Sequence, residues 1–204
     1  MKNTLIYVHD PMCSWCWGFE RVRRQLFETV ASDIQVKRLL GGLAPDSDQP
    51  MPESMQQMLQ QTWGRISQLT GASFNFDFWR NCKPRRSTYP SNRAVIAARE
   101  QGMKYDQAMT SRIQQAYYQE ARNPSDNDTL VELAAEIGLD ADQFATRLVS
   151  SDIEQKLQEE IRQSRSIGVD SFPSLVVESR GNLRHVQVNY TNLDAMLQDI
   201  TGIG

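Results

Sequence analysis

The sequence predicts an α/β chain: a strand-helix-strand unit at the N-terminus and a hairpin with a final helix at the C-terminus, separated by a long helical stretch. Three observations carry this. A short apolar run, Thr4 to Val8, opens the chain; apolar residues then recur at three- and four-residue steps; strand-type patterning returns only from Ser174. The chain has 204 residues, enough to bury roughly 70% of the surface its unfolded form exposes, so neither metal nor disulfide is required for a core. Its 22 Lys and Arg against 25 Asp and Glu give a net charge of −3, which offers no field to draw nucleic acid or an anionic membrane.

Each element has its own signal. After the Thr4 to Val8 strand, residues 14 to 31 place Phe19, Val22, Leu26 and Val30 on one helical face, and Ser32 or Asp33 breaks the pattern. Ile34 to Leu40 is the second strand, with Ile34, Val36 and Arg38 alternating against the other set, and Gly41-Gly42 ends it. From Ala44 to about Gly168 the pattern is helical. Met55, Met58, Leu59, Ile66 and Leu69 mark one amphipathic segment stopped by Gly71, and Tyr105, Met109, Ile113, Ala116 and Tyr117 mark another that stops before Pro124. Leu130, Val131, Leu133, Ala134 and Ile137 form a short helix ending at Gly138. Asp140 with Gln143 approximates a capping box, and Ser151 with Glu154 is one by type, its helix closed by Gly168. Ser174 to Glu178 and His185 to Val188 flank a turn at Ser179-Arg180-Gly181-Asn182, a hairpin, and a last helix runs from about Asn192 to Ile200.

The chemistry is concentrated at Asp10-Pro11-Met12-Cys13-Ser14-Trp15-Cys16-Trp17-Gly18. A C-x-x-C that follows a strand and opens a helix puts Cys13 where unpaired backbone N–H groups and the positive end of the helix dipole favour a thiolate. Cys16 lies one turn further in, on the same side. Two intervening residues let the sulfurs close a disulfide without unwinding the helix, leaving the first exposed and the second shielded. This geometry suits thiol exchange, in which the exposed thiolate attacks and the shielded thiol resolves. Because a disulfide carries no charge for the helix to stabilise, the same effect favours the dithiol form.

Other readings of the pair are half of a structural zinc site and two small core residues. A zinc site needs four ligands, and the remaining candidates, Cys82, His9 and His185, are isolated in the sequence; no metal is expected. Arg80, Lys83, Arg85, Arg86 and Arg93 are either a solvated basic stretch or a receiver for an acidic substrate or the carboxylates of glutathione. Phe74, Phe76, Phe78 and Trp79 either line a groove or pack in a core. Met12, Trp15 and Trp17 frame the cysteines with apolar surface, as a peptide-binding rim would, although Trp17 fits a core equally well. His9 either donates to a thiolate or simply ends a strand, and Cys82 is either an accessory thiol or incidental.

A second feature lies far along the chain. Gly168-Val169-Asp170-Ser171-Phe172-Pro173 sets a proline directly before a strand. Together with Cys13-Ser14-Trp15-Cys16 and the order of elements, it resembles the thioredoxin-like DsbA family. The string Asp-Pro-Met-Cys-x-Trp-Cys-Trp-Gly is similar to that of its cytoplasmic FrnE-type branch, and Asp128 to Asp140 resembles the helices inserted in that family. The resemblance implies a thioredoxin-like fold with an inserted α-helical subdomain, residues 1–43 and 169–204 forming the thioredoxin-like domain and 44–168 the insertion. It implies Cys13 as the attacking and Cys16 as the resolving cysteine, and Pro173 as a cis-proline beside them. The backbone of Phe172 would pair with an extended substrate, and Ser14 and Trp15 would line the site and tune its potential.

The expected activity is that of a protein disulfide oxidoreductase with a redox-active Cys13–Cys16 disulfide and no other cofactor, acting on protein or peptide thiols and disulfides with glutathione as a further co-substrate. The Leu5 to Val8 run is too short for a signal-peptide core and no stretch approaches the roughly 20 apolar residues of a membrane span, so a cytoplasmic location is expected. DsbA proteins are exported oxidants, and a reducing cytosol would hold such a pair as dithiol, so reduction or isomerisation is expected, with oxidation confined to stress. Two alternatives stand beside this reading. A kappa-type glutathione transferase or isomerase shares the fold but uses a serine where this chain has Cys13, and a protein- or zinc-binding module would need no exchange at all.

Overall fold

The computed structural model describes residues 3–30 and 34–202. Its elements are β1 (Thr4–His9), α1 (Ser14–Val30), β2 (Gln35–Leu40), α2 (Glu53–Thr70), α3 (Phe78–Asn81), α4 (Tyr89–Glu100), α5 (Lys104–Gln119), α6 (Asn127–Glu136), α7 (Ala141–Leu148), α8 (Ser151–Ser166), β3 (Ser174–Ser179), β4 (Asn182–Val186) and α9 (Leu193–Thr201). The helix break expected at Ser32 or Asp33 lies outside the described residues.

One four-stranded sheet runs β2-β1-β3-β4. β1 pairs parallel with β2, as a crossover through α1 requires, and antiparallel with β3, which carries β4 as a hairpin partner. The alternation of β1 divides the core. Leu5 and Tyr7 pack with Phe19, Val22 and Leu26 of α1 and with Met196 and Ile200 of α9, whereas Ile6 and Val8 pack on the other face with Leu39, Val169 and Val176. All four residues of the expected α1 face are buried. The hairpin loop is Arg180-Gly181, both at positive φ (51° and 81°), the mirror-image turn that matches strand twist. β4 therefore begins at Asn182, three residues before the expected His185, and ends at Val186.

The helices between β2 and β3 build a further core, in which Ala94 to Ala98 of α4 meet Met109, Ile113 and Ala116 of α5, Leu130 and Leu133 of α6, and Leu157 of α8. Two local expectations change here, and one helix was not anticipated. The α8 N-cap is Ser150, whose hydroxyl accepts from the Ile153 N–H; Ser150 has extended backbone (φ −76°, ψ 146°), while Ser151 is already helical. On α2, Met58 and Leu69 are about half exposed and the buried residues are Trp63 and Ile66, because only a narrow strip of this helix meets its neighbours. α4 had no amphipathic signature, since it is buried almost all round. The Asp140 cap is as expected, accepting from the Gln143 N–H at 2.9 Å.

Candidate active site

The site begins where β1 ends. Asp10-Pro11-Met12-Cys13 is a tight turn closed by the Cys13 N–H on the Asp10 carbonyl at 3.0 Å, with proline at the second position where its fixed φ fits. The turn aims the chain into α1 so that Cys13 occupies the N-cap position: its carbonyl accepts from the Trp17 N–H at 3.1 Å. Its side chain completes the cap, because the Cys16 N–H points at Cys13 Sγ from 3.4 Å. The sulfur stands where a serine oxygen would normally stand, so negative charge on it is met by an unpaired helix donor and the dipole.

Both sulfurs are free thiols. Cys16 is fully buried, and burial, reinforced by the neighbouring Cys13, pushes its thiol well above the ordinary range. Cys13 is only 6% exposed, a correction to the expectation that the first cysteine stands open. The loop before β3 covers it: the Cys13 thiol donates to the Phe172 carbonyl at 3.3 Å, and the Phe172-Pro173 peptide bond is cis. Access is along a groove of about 370 Å³ lined by Cys13, Ser14 and Trp15, by Asp170 to Phe172, and by residues of the helical region including Trp63, Arg86 and Tyr117. Trp15 leans on Tyr190, ring centres 5.0 Å apart.

The turn is held from the helical side. Asp10 is fully buried and accepts four hydrogen bonds: from the Met12 N–H on one carboxylate oxygen, and from the Leu43 N–H, the Thr88 hydroxyl and the Asn92 amide on the other. Burial still raises its pKa, against those donors. The Tyr118 hydroxyl donates to the Met12 carbonyl at 2.7 Å. Sequence reasoning did not identify the roles of Asp10, Thr88, Asn92 or Tyr118; the buried Asp-Pro beside the cysteines was the one available signal.

The remaining candidates separate. Trp17 is not a rim residue: it stacks on Tyr118 and its indole N–H donates to the Ser73 carbonyl. Phe74, Phe78 and Trp79 gather round the buried Trp63 as core, with Phe76 at their edge. Cys82 packs against the same cluster and donates to the Ala121 carbonyl at 3.0 Å. His9 is buried, stacked on Tyr7 at 4.8 Å, and neither ring nitrogen has a partner; burial holds its pKa down to about 3. Among the described residues no group of three or more His, Cys, Asp or Glu is placed to hold a metal ion, and no helix is long and apolar enough to cross a membrane.

A family model for thioredoxin matches residues 6–196. The chain belongs to the thioredoxin family. Among solved structures, that of a candidate protein disulfide isomerase from Nitrosomonas europaea superposes with TM-score 0.84 at 26% identity, covering 97% of this chain and 95% of that one. The cytosolic disulfide reductase DsbM of Pseudomonas aeruginosa, solved alone and with GSH, is 29% identical in its unliganded form, with TM-score 0.73, 90% of this chain and 89% of that one covered. Among curated proteins, the ClpXP adapter protein SpxH of Halalkalibacterium halodurans is 22% identical over 171 residues. That match takes in 82% of this chain and 56% of SpxH, so the chain spans little more than half the length of the curated relatives it matches. The thioredoxin-like α/β fold and the DsbA-like character expected from the two motifs are both present.

Proposed function

We propose that this thioredoxin-family chain is a cytosolic disulfide reductase, with Cys13 as nucleophile and Cys16 as resolving thiol. The observation that carries the reading is the N-capping sulfur: Cys13 Sγ faces the Cys16 N–H at 3.4 Å and the Phe172 carbonyl at 3.3 Å, at the head of a groove. The Cys13 thiolate attacks one sulfur of a substrate disulfide, forming a mixed disulfide and expelling the other sulfur as a thiolate that takes up a proton. Cys16 then loses its proton and attacks the Cys13 sulfur, closing the Cys13–Cys16 disulfide and releasing the second substrate thiol. Two electrons pass from the dithiol to the substrate. Two molecules of glutathione restore the dithiol by the same exchange in reverse and leave as glutathione disulfide.

The direction is set by the reducing cytosol, which returns the pair to the dithiol; the helix N-terminus stabilises charge that only the reduced protein carries, which favours that resting form while making the disulfide more oxidising. Likeness to DsbM supports the cytosolic setting and glutathione as reductant, and likeness to the SpxH adapters supports protein partners. Ser14, Trp15, Phe172 and Pro173 line the substrate path in this reading. The test is reduction of a protein disulfide such as insulin with glutathione as electron donor. Catalysed reduction that disappears in Cys13→Ser supports the proposal; activity unchanged by that substitution rejects it.

A further inference from the structure

The groove beside Cys13 carries charge of both signs that nothing in the chain uses. Among the basic residues near residue 85, Arg80 pairs with Asp77, Arg85 with Asp126, and Arg93 with both Asp46 and Glu154. Arg86 lines the groove, is exposed, and has no ion-pair or side-chain hydrogen-bond partner among the described residues. Asp170, from the loop before β3, lines the same groove and is likewise exposed and unpaired. The two have opposite charges and share a cleft, yet no ion pair joins them. Cys13 and an apolar floor that includes Met51, Leu59 and Trp63 line the same groove.

A groove of about 370 Å³ lies near the small end of small-ligand sites, roughly 300–1,000 Å³, which suits a short peptide. An acidic ligand would be repelled by Asp170 and a basic one by Arg86, whereas a ligand bearing a carboxylate at one end and an ammonium at the other satisfies both.

We infer that Arg86 and Asp170 are the specificity-determining pair for glutathione at this site, Arg86 receiving the glycine carboxylate and Asp170 the γ-glutamyl ammonium, so that the ligand's sulfur is delivered to Cys13. This rests on the proposed oxidoreductase function. The two charges come from separate parts of the chain, the segment before α4 and the loop before β3, so neither alone defines the ligand. Specificity arises because one ligand must answer both charges.

The test follows reduction of the oxidised full-length protein by three thiols: glutathione, its glycine ethyl ester, and N-acetylglutathione, in which the ammonium is blocked. Exposed charge pairs support a preference of about two- to fivefold each, so the unmodified protein should react about two- to fivefold faster with glutathione than with either blocked thiol. Arg86→Ala should erase the preference over the ester while retaining that over N-acetylglutathione, and Arg86→Lys should restore most of it. Asp170→Asn should do the opposite. Equal rates with all three thiols in the unmodified protein would overturn this inference and leave thiol exchange standing, as would a loss in Arg86→Ala that is the same for glutathione and its ester. Absence of Cys13-dependent exchange with any thiol would reject the oxidoreductase reading as well.

Discussion

Cys13 Sγ lies 3.3 Å from the carbonyl oxygen of Phe172, a residue 159 positions further along the chain. The contact depends on protonation. A thiol donates its hydrogen to that carbonyl; a thiolate has none to give, and two electron-rich atoms then face each other. In the proposed mechanism, loss of that proton would free the Phe172 carbonyl as an acceptor for a substrate backbone N–H. The Cys16 N–H, 3.4 Å from the sulfur, is a donor that a thiolate can accept.

The proposed division of labour between the cysteines rests on Cys13 lining the groove and Cys16 being fully buried. Cys13→Ser should lose exchange entirely. Cys16→Ser should retain the first step and stop there, accumulating one mixed disulfide per chain, detectable by mass under non-reducing conditions. At neutral pH, iodoacetamide should leave Cys16 unmodified, because it is fully buried and its thiol is pushed well above the ordinary range. Free turnover by Cys16→Ser would reverse the assignment.

Asp10 links the motif to the helical region. In Asp10→Asn the amide oxygen can still serve the three donors from Leu43, Thr88 and Asn92, but its NH2 then opposes the Met12 N–H. An unmet donor of this kind costs about 1–3 kcal/mol, and it lies in the turn that presents Cys13. The variant should lose that much unfolding free energy, unfold at a lower denaturant midpoint and exchange more slowly; a midpoint and rate equal to those of the unmodified chain would show that the network does not hold the turn.

Much of this was legible in the chain. The α1 face could be read because Phe19, Val22, Leu26 and Val30 keep helical spacing over a long run, and the hairpin because Arg180-Gly181 suits a mirror-image turn. The two ends of the site, Cys13 with Cys16 and Phe172 with Pro173, each sit in a local motif. What could not be read is tertiary. α4 is buried nearly all round and so has no period. Thr88, Asn92 and Tyr118 reach the motif across 78, 82 and 106 positions, with nothing local to mark them. Among the cations near residue 85, only the positions of Asp46, Asp77, Asp126 and Glu154 decide which are paired.

Acid sensitivity should trace to His9. Its pKa is held near 3 by burial, against an ordinary value of 6.5. A depressed histidine binds its proton more readily when unfolded, so the stability it contributes is complete above about pH 6.5 and is lost as pH falls towards 3, at about 1.4 kcal/mol per pH unit within that window. His9→Phe can keep the stack on Tyr7 without a titrating group. Its unfolding free energy should fall less steeply between pH 6 and 4 than that of the unmodified chain, and identical slopes would remove His9 from the account.

Gly41 tests whether the Phe172 carbonyl is positioned by packing. Gly41 follows β2, its N–H donates to the His9 carbonyl at 2.8 Å, and a Cβ built on it would lie 2.0 Å from the Phe172 ring. The backbone of β2 thus fits against that ring only because residue 41 has no side chain, and the ring belongs to the residue whose carbonyl faces Cys13. Gly41→Ala must displace the ring, at about 1–3 kcal/mol for an overpacked contact, and should carry the carbonyl with it. Both stability and the rate of exchange should fall. Trimming the ring in Gly41→Ala with Phe172→Ala removes the clash, so the double variant should be more stable than the sum of the two single losses predicts, the non-additivity expected of residues in direct contact. Strict additivity in unfolding free energy, measured over the four members of that cycle, would show that Gly41 does not set the position of Phe172.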